Sequence, residues 1–228
     1  MKKTLIACGC SLTHGMSCIP YPKLLADTLQ YDCFNFAKPG GSNYFIAKQV
    51  EHAITLSPDL VIVGTTTSSR YDMIVNEHVL SSAPNFSNFN TNNKVFDDDK
   101  VESHSILSLK HALKHKQLSS KAKHSITELI NYATMISSFR IKEDQDRFML
   151  LGAVQLLKES NIPFIVIDFS SIFVGVRSVN SVHLPFRELA RQFPIIGDEF
   201  HYNQDGHEYV SKLLFETLIP AETIKTNT

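Results

Sequence analysis

The chain has 228 residues, 43% of them hydrophobic and 20% charged, a balance that builds a soluble globular core and excludes a disordered or fibrous class. A formal net charge of −1 supplies no field to draw in nucleic acid or an anionic membrane, so neither is expected as a partner. All four cysteines (Cys8, Cys10, Cys18, Cys33) crowd the N-terminal end, which suits reduced thiols in a cytoplasmic protein better than a disulfide framework; Cys8-x-Cys10 lacks zinc-like spacing and a second pair, so no metal or cofactor is expected.

Thr4–Cys8 is a short apolar run that reads as a first buried strand. Its ending, Leu5-Ile6-Ala7-Cys8, superficially looks like a lipoprotein signal, but the few residues between Lys3 and Cys8 fall short of the roughly 7–15 that an apolar signal core needs. No segment approaches the roughly 20 apolar residues of a membrane span. Pro22 opens a helix with Leu24, Leu25 and Leu29 on one face, proline being well suited to a first helical turn. A weaker strand is expected at Cys33–Phe36, then a helix over Asn43–Leu56 with Phe45, Ile46, Val50 and Ile54 at helical spacing. Leu60–Gly64 and Phe164–Phe169 read as buried parallel strands.

Between these two strands, Ser81 to about Asn93 is polar and turn-rich and reads as a loop. From Val101 to Arg147 the pattern is mostly helical and strewn with Lys and His, and is expected to cap the sheet or the site. Its cluster Lys110, His111, Lys114, His115, Lys116, Lys121, Lys123 and His124 lacks interleaved aromatics, and reads as a solvated helix face rather than a nucleic-acid surface. A helix over Phe148–Ser160 precedes the Phe164 strand, and a last helix covers roughly Gln204–Leu218. Strand and helix alternate, which predicts right-handed βαβ units around a parallel sheet in one domain, 1–228, with an insertion at about 76–147.

Four segments carry chemistry. Ser11 follows the first strand in Gly9-Cys10-Ser11-Leu12-Thr13, at the carboxyl edge where open α/β sheets place their sites. Its own N–H can face a developing oxyanion; alone, such a serine is as readily a turn or a helix cap. Asn35-Phe36-Ala37-Lys38-Pro39-Gly40-Gly41-Ser42-Asn43 follows the second strand, and its glycines permit either close backbone approach to a ligand or a simple left-handed turn. A phosphate loop is excluded, because no Gly-Lys-Ser/Thr follows. Gly64-Thr65-Thr66-Thr67-Ser68-Ser69-Arg70 offers hydroxyls at the next strand's edge, for substrate binding through Thr65 and Thr67 or for local capping. Arg70 either anchors an anionic group of a substrate or pairs with an acid such as Asp72. Asp198-Glu199-Phe200-His201 places a carboxylate and an imidazole three apart in one loop, where the first can fix the tautomer of the second. His207, just inside the last helix, reads as a packing or capping residue.

Taken in this order, the segments resemble the SGNH/GDSL hydrolase family. The Ser11 block is similar to that family's first block, with Cys10 where an Asp often stands, and Tyr21-Pro22-Lys23-Leu24-Leu25 is similar to the opening of its first helix. Asn35 to Gly40 resembles the second block, and Asp198-x-x-His201 with Asn203 and Gly206-His207 the last. The resemblance implies a three-layer αβα sandwich with a mainly parallel, flavodoxin-like central sheet. It also implies a catalytic triad of Ser11, Asp198 and His201, and an oxyanion hole from the N–H groups of Ser11 and Gly40. The family's third block supplies an Asn to that hole; here Thr66 stands in its place and offers only a shorter hydroxyl.

The expected activity is hydrolysis of a small-molecule or carbohydrate ester through an acyl-enzyme. Transfer of the acyl group to another alcohol is an alternative on the same residues. A non-catalytic module on the same scaffold is a further alternative, motivated by the missing Asn and the insertion. A flavodoxin-like nucleotide binder explains the alternation but not Asp-x-x-His. Cys10, beside Ser11, is expected either to be an alkylation target that blocks the site or a buried small hydrophobe.

Overall fold

The computed structural model describes residues 2–68, 72–75, 78–81, 110, 113–114, 119–120, 123–124, 126–128, 130–131, 139–173, 176, 179–196 and 198–218. Arg70, the loop expected from Ser81 to Asn93 beyond its first residue, and most of the expected helical cap lie outside the described residues.

Five parallel strands form the central sheet: β1 (Thr4–Cys8), β2 (Asp32–Asn35), β3 (Leu60–Gly64), β6 (Phe164–Asp168) and β7 (Ser181–His183), in the order β2-β1-β3-β6-β7. Two short hairpins lie outside it, β4–β5 (Asp72–Val75, His78–Ser81) and β8–β9 (Pro194–Ile195, Asp198–Tyr202). Among the described residues, the helices with defined bounds are α1 (Ser11–His14), α2 (Tyr21–Leu29), α3 (Asn43–Thr55), α4 (Phe139–Glu159), α5 (Phe186–Gln192) and α6 (Gln204–Leu218). None of the described helices is long and apolar enough to cross a membrane.

Because successive strand residues face opposite sides, β1 feeds two cores. Ile6 and Cys8 pack with Ile46 and Val50 of α3 and Leu150, Val154 and Leu157 of α4. Leu5 and Ala7 pack with Tyr21 and Leu25 of α2, Leu189 of α5, and Val210 and Leu214 of α6. Helices therefore cover both faces, giving the three-layer αβα sandwich. The central strands are apolar throughout because each side chain is buried whichever way it points.

Most elements follow the sequence pattern: β1, β3 and α6 have the expected bounds, and α2 carries its proline in the first turn. β2, α3 and β6 depart from the expected bounds by a single residue at one or both ends, and one helix start departs by more. α4 begins at Phe139, inside the segment expected as an insertion, rather than at Phe148. Its inward face continues through Lys142 and Asp146, both buried, so the apolar period stops before the helix does.

Two strand ends reach the carboxyl edge on glycine. A Cβ on Gly64 would lie 2.3 Å from Thr13 Oγ1, and one on Gly9 would lie 2.2 Å from Oγ1 and 2.5 Å from Cβ of the same threonine. Thr13 thus fills the notch above β1 and β3. We expect Gly64→Ala and Gly9→Ala each to destabilise the protein by about 1–3 kcal/mol through overpacking. In a Thr13→Ala background the Gly64→Ala penalty should shrink, while that of Gly9→Ala should remain, because the threonine Cβ is still there. Urea unfolding of the four combinations checks this; equal rescue at both glycines would contradict it.

Candidate active site

Ser11 opens α1 immediately beyond β1 and is 5% exposed. A four-residue helix has too few internal hydrogen bonds to hold its own geometry, and side chains from four other elements hold it. Gln49 of α3 grips Gly9 on both sides, accepting its N–H at 2.7 Å and donating to its carbonyl at 3.3 Å. Asn35 Nδ2, at the end of β2, donates to the Thr13 carbonyl at 3.1 Å. The Tyr21 hydroxyl donates to Thr13 Oγ1 at 3.0 Å, and the Tyr202 hydroxyl of β9 donates to the Leu12 carbonyl at 2.8 Å. Cys10 is fully buried beneath this turn, so of its two expected roles the structure supports the buried hydrophobe.

Asp198 and His201 lie in strand β9, not in the loop that the sequence suggested. In a regular strand, residues three apart point to opposite faces. Here the Asp198 carboxylate curls the chain: Oδ1 accepts the N–H groups of Phe200 (2.8 Å) and His201 (3.0 Å), and the β8–β9 register shifts alongside. The other oxygen, Oδ2, meets His201 Nδ1 at 2.6 Å. Partial burial pushes the Asp198 carboxyl up, but the Phe200 N–H and the imidazole and N–H of His201 outweigh it and hold the group below the usual carboxylate range. His201 and Ser11 line one cleft together with Leu12, Gly15, Met16, Ile195, Tyr202 and His207.

His207 stacks against Tyr21 (centroids 6.2 Å apart) and packs on Tyr202 (4.5 Å), and its Nδ1 accepts the Tyr21 N–H at 3.3 Å. Burial, reinforced by the nearby His201, pushes its pKa down to about 4. It is a neutral packing residue, as its place inside the helix suggested.

The second and third blocks meet at the same edge. Gly40 takes φ +81°, a left-handed backbone that a side chain would strain. Ser42 caps α3 by accepting the Phe45 N–H at 3.2 Å. Asn43, the first residue of α3, reaches across to Thr66: its Oδ1 accepts the Thr66 N–H at 2.9 Å and its Nδ2 donates to the Thr66 carbonyl at 2.7 Å. The same Nδ2 donates to Asp146 Oδ2 at 2.9 Å, and Lys142 pairs with the other oxygen of Asp146. The Thr66 hydroxyl is buried and has no hydrogen-bond partner among the described residues.

Thr65 is placed otherwise than a substrate-binding residue needs to be. It is fully buried, and its hydroxyl meets Asp168 Oδ1 (3.1 Å) and Ser170 (3.1 Å) and accepts the Phe169 N–H (3.0 Å), which locks β3 to the end of β6. Thr67 is half-buried at the same edge. Among the described residues, no three His, Cys, Asp or Glu side chains converge as a metal site. Sequence reasoning missed Gln49, Lys142 and Asp146, and gave Asn43, though part of the second segment, no role of its own. The one legible hint was a polar residue on an otherwise apolar helix face, as Gln49 is beside Ile46, Val50 and Ala53.

No family model matches the chain, and no curated protein matches it. Solved structures do. A psychrotrophic esterase, EstA, from Pseudoalteromonas sp., in a structure inhibited by monoethylphosphonate, superposes with a TM-score of 0.52 at 9% identity, over 95% of this chain and 97% of that one. An acetyl xylan esterase, Est2A, from the rumen bacterium Butyrivibrio proteoclasticus gives 0.50 at 11% identity, over 95% of this chain and 63% of that one. AlinE4, an SGNH-hydrolase family esterase, gives 0.46 at 14% identity, over 96% and 98%. At such identities the shared property is the fold, and the αβα sandwich is the fold this chain has in common with the first two.

The buried His207 gives a signed prediction. An unfolded chain takes a proton on this residue as pH falls through about 6.5, whereas the folded protein refuses it until about 4. Folding stability should therefore fall as pH drops through that window. Asp198, held low, adds its own loss only below about pH 4. Urea midpoints at pH 7, 5.5 and 4.5 should decline in the wild type and decline less in His207→Gln; parallel slopes would contradict the assignment.

Proposed function

We propose that the chain is a serine carboxylic ester hydrolase acting through an acyl-enzyme, with Ser11 as nucleophile, His201 as general base and acid, and Asp198 as the residue that orients His201. The observation that carries this reading is the 2.6 Å contact of Asp198 with His201 Nδ1, on an imidazole that shares one cleft with Ser11. With Nδ1 engaged, Nε2 is the nitrogen left to face the serine. The fold held in common with EstA and Est2A, both esterases, supports the same chemistry.

As Ser11 Oγ bonds to the ester carbonyl carbon, Nε2 takes its proton and the carbonyl oxygen becomes an oxyanion. The N–H groups of Ser11 and Gly40 and the hydroxyl of Thr66 receive that charge. Collapse breaks the bond to the alcohol oxygen, which leaves with the proton from His201. Water then repeats the steps, giving its proton to His201, and the carboxylic acid departs as Ser11 regains its own. The Ser11 turn, clamped by Gln49, Asn35 and Tyr202, supplies the fixed geometry that makes such donors effective without reorganisation. The substrate on this reading is a small-molecule or carbohydrate ester.

Hydrolysis of p-nitrophenyl acetate with a Ser11→Ala control tests the proposal, together with covalent labelling by a fluorophosphonate. We expect turnover and labelling in the wild type and neither in Ser11→Ala. Thr66→Val, which removes only the hydroxyl, should lower kcat by about 10- to 100-fold, and Asp198→Asn by on the order of 10³–10⁴. A wild type that neither hydrolyses nor labels would sink the reading. Acyl release that depends on an added alcohol would make it a transferase instead.

A further inference from the structure

We propose that Asp146 and Lys142 are positioning residues for the oxyanion site: their buried pair on α4 orients the Asn43 amide, and Asn43 fixes the backbone that aims the Thr66 hydroxyl. The inference rests on the hydrolase reading above and assigns a role to residues that none of the four sequence blocks contains.

Asp146 is fully buried and Lys142 nearly so. Removing two charges from water is costly, and apolar replacements of similar volume are often neutral or stabilising, so a buried pair is poorly explained by stability. Its contacts point elsewhere. Asn43 touches both the N–H and the carbonyl of Thr66, as a neighbouring strand would, and this grip works in only one orientation of the amide. Rotating the amide by half a turn would set oxygen against carbonyl and NH2 against N–H. A carboxylate can only accept, so Asp146 selects the orientation in which Nδ2 faces it and Oδ1 faces the Thr66 N–H. A protonated Asp146 would lose that selectivity. Burial holds the Asp146 carboxyl above the usual carboxylate range, and the neighbouring Lys142, the Asn43 amide and the Ser68 hydroxyl offset that only in part.

What the grip holds is one of two described hydroxyls at this edge, those of Thr66 and Ser68, that are buried and without a hydrogen-bond partner on the protein. A buried polar atom left unsatisfied is uncommon in folded proteins and calls for a use. Thr66 follows Gly64 at the end of β3, beside β1, whose own end leads into the Ser11 turn. Asn43 lies three residues after Gly40. Ser11, Gly40 and Thr66 therefore stand on adjacent strand ends, and α4 reaches the third of them through a single side chain.

A double-mutant cycle tests the role. Lys142→Met with Asp146→Leu removes the pair while filling its volume, and Asn43→Ala removes the relay. We expect the paired variant to keep the wild-type Tm or exceed it, while kcat on p-nitrophenyl acetate falls about tenfold and KM moves less than about twofold. Placed in a Thr66→Val background, neither change should lower kcat further, because both act through that hydroxyl. Asp146→Asn made together with Lys142→Met can still accept from Asn43 and leaves no buried charge unpaired, so it should retain more activity than the Met/Leu variant and serves as a second probe. Full kcat in a stable paired variant, or losses that multiply with Thr66→Val, would overturn the positioning role alone. A wild type with no turnover and no fluorophosphonate labelling would overturn the hydrolase reading, and this inference with it.

Discussion

The Tyr202 hydroxyl donates to the Leu12 carbonyl at 2.8 Å across 190 positions of sequence, and the candidate site depends on that stitch. Ser11 sits on a turn too short to support itself, whereas His201 sits on a hairpin outside the main sheet. Nothing in the parallel sheet alone fixes one against the other. The stitch does so, and two more contacts reinforce it: Gln204 pairs with the backbone of Ile19, and His207 accepts from the Tyr21 N–H. All three join the segment just after β1 to the segment just before or inside α6. A buried tyrosine hydroxyl without a partner would cost about 1–3 kcal/mol, so the same bond that aligns the site also stabilises the fold.

A second regularity concerns the polar residues at the strand ends. Asn35, Gln49, Asn43 and Thr65 are amides or hydroxyls near a candidate cleft, and each bonds backbone, Asn43 and Thr65 reaching side chains as well. Amides suit this task because they donate and accept at once, and so can take both the N–H and the carbonyl of one residue, as Gln49 does at Gly9 and Asn43 at Thr66. The edge is consequently stiff. Few described side chains there remain uncommitted, and the hydroxyls of Thr66 and Ser68 stand out against that background.

The sheet was legible because it is apolar on both faces: β1, β3 and β6 announce themselves as runs that no other element explains. Asp198 and His201 were legible as a pair through their spacing, yet not as a strand, since Asp-Glu-Phe-His-Tyr has no apolar alternation and the curl comes from the Asp198 side chain itself. The start of α4 was hidden because charged residues occupy its inward positions, and β7, β8 and α5 are too short for a period to register. The clamps on the Ser11 turn could not be read at all. An asparagine at a strand end looks alike whether it faces solvent or a carbonyl of another segment, and only the packed chain distinguishes the two.

The long reach of the Tyr202 contact also sets the order of events during synthesis. A ribosome delivers the Ser11 turn 190 positions ahead of Tyr202, so the nascent chain carries the serine with no imidazole beside it while that intervening stretch is made. On the proposed reading the hydroxyl stays an ordinary alcohol throughout that interval and is switched on only when the final hairpin and helix dock. Contacts so distant in sequence close slowly, so on that reading reactivity follows the docking of the last hairpin and helix.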